Sequence, residues 1–224
     1  LELLKEFIIF SIGSISLIFY ALAYERFIKW LSKHINLNLN NNTKNLFSFK
    51  GTWKKIFLPA TIKSFFTIIM IGYSYYFADK IADNYHFYFI MLFMVMVCIF
   101  CWANIRIYSW IAKHTFLKDS TSFAFEGKYS MLLFLLFLFF ITSLIPIIGD
   151  VFLSPGITLL IIGWILSNTK HTAAKLEFLG KYWSYIWLNI TTFLGCILII
   201  PIPWMLERYF NWFLFNTCLI IEKQ

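Results

Sequence analysis

Of 224 residues, 60% are hydrophobic, 21% aromatic and 13% charged, and the mean hydropathy is +0.74. An average soluble domain is about 25% charged, and half that charge cannot coat a 26.6 kDa sphere against water. The composition excludes a soluble globular enzyme, a disordered chain and a secreted disulfide scaffold. It points to lipid as the missing solvent, with the net charge of +8 held in loops rather than marking nucleic-acid binding.

The first apolar run, Phe7 to Tyr20, precedes Ala21-Leu22-Ala23 and imitates a signal peptide. Glu2 and Glu6 against the single Lys5 spoil the basic leader, so an uncleaved first span is expected. The chain opens on Leu1 rather than Met, and a longer open reading frame is expected. Ser11, Gly13, Ser14, Ser16, Ala21 and Ala23 give this segment a small-residue face suited to close helix contact, within the chain or with another subunit. Hydropathy then predicts spans near 7–24, 56–77, 86–105, 131–149, 152–167, 182–200 and 204–221. No alternation of period two is sustained over ten residues, which argues against a β-barrel. The expected fold is all-α: a polytopic transmembrane helical bundle of about seven spans, forming a single membrane domain over 1–224. The shortest span, 152–167, carries Pro155 and Gly156 and is expected to tilt or re-enter.

Orientation follows from the lysines and arginines. Segments 26–63, 106–128 and 170–181 hold 15 of the 19 basic residues, whereas the alternate loops at 79–85, 150 and 201–203 are acidic or nearly uncharged. The positive-inside rule places the basic segments in the cytoplasm.

Internal repetition is the most informative feature. Phe47-Ser48-Phe49-Lys50-Gly51 recurs as Phe123-Ala124-Phe125-Glu126-Gly127 and, degraded, as Leu176-Glu177-Phe178-Leu179-Gly180, each with an aromatic two residues after the Gly (Trp53, Tyr129, Tyr182). These segments read as interfacial aromatic hooks, the Gly permitting the turn into a span. Trp102-x3-Arg106-x3-Trp110-x4-Thr115 matches Trp204-x3-Arg208-x3-Trp212-x4-Thr217 position for position. A middle copy is worn: Trp164 is followed at plus four by Asn168, with no Arg. The repeats divide the chain into a first span and basic loop (1–45), repeat 1 (46–122), a degenerate repeat 2 (123–175) and repeat 3 (176–224). Gly51 to Trp102 is 51 residues but Gly180 to Trp204 only 24, which suggests an extra span inserted in repeat 1.

These elements resemble the YjgN-like bacterial inner-membrane proteins. The match runs from Phe178-Leu179-Gly180 through Leu188-Asn189 to Pro203-Trp204, Arg208 and Asn216-Thr217, with a first copy in Trp102-Ala103, Arg106, His114-Thr115 and Phe123-x-Phe125-x-Gly127. The resemblance covers roughly 45–130 and 176–219. It implies a polytopic inner-membrane protein and no activity, since none is assigned to that family.

Candidate chemistry is sparse. Arg106 stands between Trp102 and Trp110, and Arg208 between Trp204 and Trp212, at four-residue spacing on one helical face. Each guanidinium could therefore sit between two indoles and meet an anionic lipid headgroup or ligand. Interfacial Trp with snorkelling Arg is the plainer use of the same residues. Asp150 reads as a solvated turn. Cys98-x-x-Cys101 lies in an apolar run with no second pair, and the four histidines are scattered, so no metal and no cofactor is expected. Neither a nucleophile–base pair nor a phosphate loop is present. The expected function is a non-catalytic membrane subunit or scaffold of an envelope complex, with membrane lipids and a protein partner or self-association as its contacts. The alternative is a transporter or lipid-handling protein for a small anionic or lipidic substrate.

Overall fold

The computed structural model describes residues 20–34, 47–79, 86–117, 121–143, 145, 149–172, 174–197 and 202–221. Most of the expected first span, 7–24, lies outside them. The described elements are α1 (Tyr20–His34), β1 (Phe47–Phe49), α2 (Phe57–Asp79), α3 (His86–His114), β2 (Thr115–Leu117), β3 (Thr121–Ser122), β4 (Ala124–Phe125), α4 (Tyr129–Ser143), α5 (Ser154–Ser167), β5 (Thr169–His171), β6 (Ala174–Phe178), α6 (Tyr182–Ile197), α7 (Ile202–Phe215) and β7 (Thr217–Ile221).

The strands overturn the all-α expectation. They form two antiparallel sheets, β1-β2-β3 and β4-β5-β6-β7. The seven-span, multi-pass bundle is corrected with it. Met91–His114 is the one helix among the described residues long and apolar enough to cross a membrane, whereas Phe57–Ile69, Tyr129–Thr142 and Val151–Ser167 are shorter apolar stretches. At about 1.5 Å per residue, the 15 residues of α4 and the 14 of α7 extend about 22 and 21 Å, short of a hydrocarbon core of about 30 Å. The expected last span, 204–221, is in fact α7, a turn at Asn216 and strand β7.

Each repeat is a strand, two antiparallel helices and a returning strand that pairs with the first. Unit 1 runs from β1 to β2, unit 2 from β4 to β5 and unit 3 from β6 to β7, and β2–β3 and β5–β6 pairing links the units. The hooks are therefore strands that root each hairpin at one end of the molecule, β1 and β4 at sheet edges and β6 inside its sheet. Among the described residues unit 1 has two helices like the others, in place of the extra span expected there. Its additional length lies in longer helices, 23 and 29 residues against 16 and 14 in unit 3.

One contact fixes every unit. The register sets Phe49 opposite Thr115, Phe125 opposite Thr169 and Phe178 opposite Thr217. From there each Phe ring folds over the glycine two residues on and meets an indole: Trp110 at 5.0 Å, Trp164 at 5.6 Å and Trp212 at 5.8 Å between centroids, all near edge-to-face. A Cβ on Gly51, Gly127 or Gly180 would fall 2.6, 2.7 and 2.8 Å from that indole and closer still to the Phe ring. Trp164 is thus the counterpart of Trp110 and Trp212, not of Trp102. Unit 2 has Leu160 where the other units have arginine.

Behind each Trp the helix end is closed in one way. His114 Nδ1, Asn168 Nδ2 and Asn216 Nδ2 donate to the carbonyl of the Trp four residues earlier, at 2.8, 2.7 and 2.7 Å. Thr115, Thr169 and Thr217 hydroxyls donate to the next carbonyls, of Ile111, Ile165 and Phe213. The carbonyls of His114, Asn168 and Asn216 accept the amide of the residue before each glycine. Carbonyls that a helix C-terminus leaves unpaired are so bound to side chains and to the strand.

Helix α1 belongs to the same pattern. Arg26-x3-Trp30-x3-His34 repeats the spacing of Arg106, Trp110 and His114. Tyr20, Ala21 and Phe49 share a core with Ile56, Ala60 and Trp110, so Ala21 packs within this chain. In units 2 and 3 the aromatic two residues after the Gly reaches back to the previous helix: Tyr129 donates to Cys98 O at 2.8 Å and Tyr182 to Phe152 O at 2.6 Å, both twelve residues before a Trp. In unit 1 the Trp53 amide donates to Glu25 of α1 instead. Helices contact their neighbours in order from α1 to α7, and Phe27 of α1 meets Phe210 of α7 at 6.0 Å, closing a ring.

Gly127→Ala should lower stability by about 1–3 kcal/mol, because the Phe125–Trp164 contact must open. Gly163→Ala, with nothing within 4 Å of the added Cβ, should raise stability by about 0.5–1 kcal/mol. Thermal unfolding of the two purified variants measures the contrast.

Candidate functional site

The helices that end each unit, α3, α5 and α7, stand with α1 around the pseudo-symmetry axis, and the sheets close the end at which those helices terminate. Between them lies a cavity of about 300 Å³. Its walls come from recurring register positions. The residue four before each glycine supplies Phe47, Phe123 and Leu176 from the strands. The residue one after each Trp supplies Leu31, Ile111 and Ile165, and the residue two after it supplies Ser32, Ala112, Leu166 and Leu214. The terminal threonines Thr115, Thr169 and Thr217 complete the pattern, with Ile28 and Tyr108 two residues before a Trp.

Polarity inside is low, and apart from the Tyr108 hydroxyl it is already spent. The three threonine hydroxyls donate to their own helices at 2.7–2.9 Å, and Ser32 Oγ donates to Lys29 O at 3.0 Å. Ala112, Phe123 and Ala174 are buried with Leu117 on the sheet side of the space. The chemistry of this space is that of hydrocarbon.

The arginines lie elsewhere. Arg106 and Arg208 are exposed on the outward helix faces. Arg106 lies over one indole, Trp102, at 5.9 Å, and Trp102 is 37% exposed. Trp110 is turned inward, 7% exposed, against Phe49, so no two-sided stack forms around Arg106. Trp204 is 64% exposed. Trp212 stacks on Tyr185 at 5.2 Å and donates its Nε1–H to Ser184 Oγ at 2.8 Å. Each ladder is therefore divided, one Trp outside and one in the frame. His114, Asn216 and Thr217 spend their donors within their own helices rather than beside either arginine. Sequence reading missed Arg26, which the Arg-x3-Trp-x3-His spacing of α1 places in register with Arg106 and Arg208, also exposed. It missed the cavity too, although the same register positions carry it.

Cys101 is buried and Cys98 half-buried, both as free thiols. Cys101 Sγ lies 3.7 Å from Tyr129 O. Among the described residues no three His, Cys, Asp or Glu side chains converge on a metal-sized site. Asp150 lies in the wide turn Gly149–Leu153 that precedes α5.

No known protein family, curated protein or solved structure matches the chain.

Arg106→Lys and Arg208→Lys should each change stability by no more than about 0.5 kcal/mol, as exposed positions do. Trp110→Ala should cost about 3–5 kcal/mol by emptying the Phe49–Gly51 contact. Denaturant unfolding in detergent distinguishes the two kinds of position.

Proposed function

We propose that the protein is a non-catalytic subunit or scaffold inserted in a membrane through α3 and the apolar outer faces of its neighbours. The observation that carries this reading is the outward display of large apolar side chains. Leu58 and Phe65 on α2, Met91, Leu92 and Val95 on α3, Phe134 on α4, Leu160 on α5 and Leu194 on α6 are each about half exposed. Soluble monomers rarely leave contiguous apolar area of that extent in water. Hydrocarbon accepts it without penalty. Charge is distributed accordingly: Lys50, Lys54, Lys55, Lys113, Lys128, Lys170, Lys175 and Lys181 all lie on or beside the strands and helix ends of the sheet side. Exposed Trp102 with Arg106, and Trp204 with Arg208, suit headgroup depth between the two zones. The resemblance to YjgN-like proteins supports a bacterial inner membrane with the sheet side cytoplasmic, and the wide lateral apolar face supports a protein partner or self-association beside membrane lipids.

A second reading, lipid handling, draws support from the axial cavity. Its lining offers no cation to a small anionic substrate, which favours the lipidic form of that alternative.

The protein should remain in the membrane pellet after alkaline carbonate extraction. A monodisperse, detergent-free soluble form would overturn membrane insertion. Cysteines placed at Thr52 and Thr172, in a variant with Cys98, Cys101, Cys196 and Cys218 changed to Ala, should be modified by an impermeant reagent only after the cytoplasmic face is opened. Labelling of either in intact cells would reverse the orientation.

A further inference from the structure

We propose that the axial cavity binds a single hydrocarbon chain of the kind that membrane lipids carry, one chain per protein. Three observations lead there. The cavity is not a packing accident between unrelated side chains, because its walls repeat: the same strand position, the same two helix positions and the same threonine return from unit to unit. The Ser32, Thr115, Thr169 and Thr217 hydroxyls are already bound within the protein and no charged side chain lines the space, so apart from the Tyr108 hydroxyl it offers nothing polar to an anion, a sugar or a nucleotide. Water is equally poorly served, since a buried water takes two to four polar partners and apolar cavities stay dry.

Size sets the occupant. An apolar cavity of about 150 Å³ holds benzene, so one of about 300 Å³ accommodates roughly twice that hydrocarbon, on the order of a dozen carbons. The space arises at a defined place. Two residues after the Trp, α5 and α7 carry Leu166 and Leu214, whereas α1 and α3 carry the small Ser32 and Ala112. Had all four helices carried leucine, the cavity would be filled from all sides. Helices α1 and α7, which both line it, meet through the ring pair Phe27–Phe210, and that seam is the entry assigned to the chain.

The inference is independent of how the protein sits in a membrane, because it is read on purified protein. The test uses protein extracted in a steroid detergent that has no alkyl chain. Binding of cis-parinaric acid is followed by its fluorescence, and decanol, dodecanol and hexadecanol serve as displacing chains. Saturable binding near one probe per protein is expected, with dodecanol displacing best. A lysophospholipid with a twelve-carbon chain distinguishes a lipid-tethered chain from a free one: displacement as good as dodecanol's indicates that a headgroup can remain at the seam, and failure indicates a free chain. The double variant Ser32→Leu/Ala112→Leu, which gives α1 and α3 the residue of α5 and α7, should weaken binding at least tenfold while thermal stability holds or rises. If it does not fold, Leu166→Ala/Leu214→Ala decides, since the enlarged cavity should shift preference toward hexadecanol. Absence of saturable binding, unchanged affinity in a folded filled variant, or unchanged chain preference in the enlarged one would each overturn the proposal.

Discussion

Every hairpin of this protein is joined to its sheet by one crowded contact: a strand phenylalanine bent over a glycine onto a tryptophan of the returning helix. The contact joins residues far apart in sequence, 59 positions from Gly51 to Trp110 in unit 1 and 32 from Gly180 to Trp212 in unit 3. Each strand is two to five residues long, too short to hold a hairpin by ladder hydrogen bonds alone. The aromatic pair supplies apolar burial at the point where strand, helix start and helix end meet. Glycine is required for space, because any side chain would separate the two rings.

The rest of the unit follows from that junction. With the Trp fixed, the His or Asn four residues on can turn back to its carbonyl, and the Thr after it begins the strand that pairs with the Phe. The helix stops where the sheet begins. This is why both ends of every hairpin lie on one side and why the lysines gather there, around the segments that water must reach. The link between units is also repeated, through Tyr129 and Tyr182 to the helix before them, and α1 supplies unit 1 with a helix to lean on. Units so joined curve into a ring with an axis, and residues one and two past each Trp converge on it.

The repeat was legible in the sequence, and its junction was not. Phe-x-Gly and Trp-x3-Arg-x3-Trp were visible as motifs, but nothing in spacing alone says that Gly51 and Trp110 touch. Hydropathy misled at Thr217-Cys218-Leu219-Ile220-Ile221: an apolar run scores alike as strand or span, and here it pairs with β6 along its whole length. The worn middle copy belongs through Trp164 to Trp110 and Trp212 rather than to Trp102, and arginine is not the anchor of the motif. The partner of the invariant spacing was instead Trp with Asn168-Thr169, which unit 2 keeps intact. Hydropathy sets Arg208 near the start of a last span, 204–221, and the strand after α7 resolves its place: Arg208 lies two turns before the sheet, as Arg106 does.

That resolution separates the three faces of each closing helix. At about 100° per residue, positions one, two and five after the Trp and two before it fall within an arc of about 100°, and this arc faces the cavity. The Trp itself faces the strand. The position four before it lies on the far side of the Trp from the cavity arc, outward, and there the chain tolerates Arg26, Arg106, Leu160 and Arg208 alike. Leu160 is 57% exposed, and its unit keeps its Phe125–Trp164 junction, its Asn168 closure and its place in the cavity wall. An outward arginine is therefore no part of the frame. Whatever it contributes, it contributes to the surroundings of the ring, while the frame and the cavity are set by the glycine, the two aromatics and the small residues at Ser32 and Ala112.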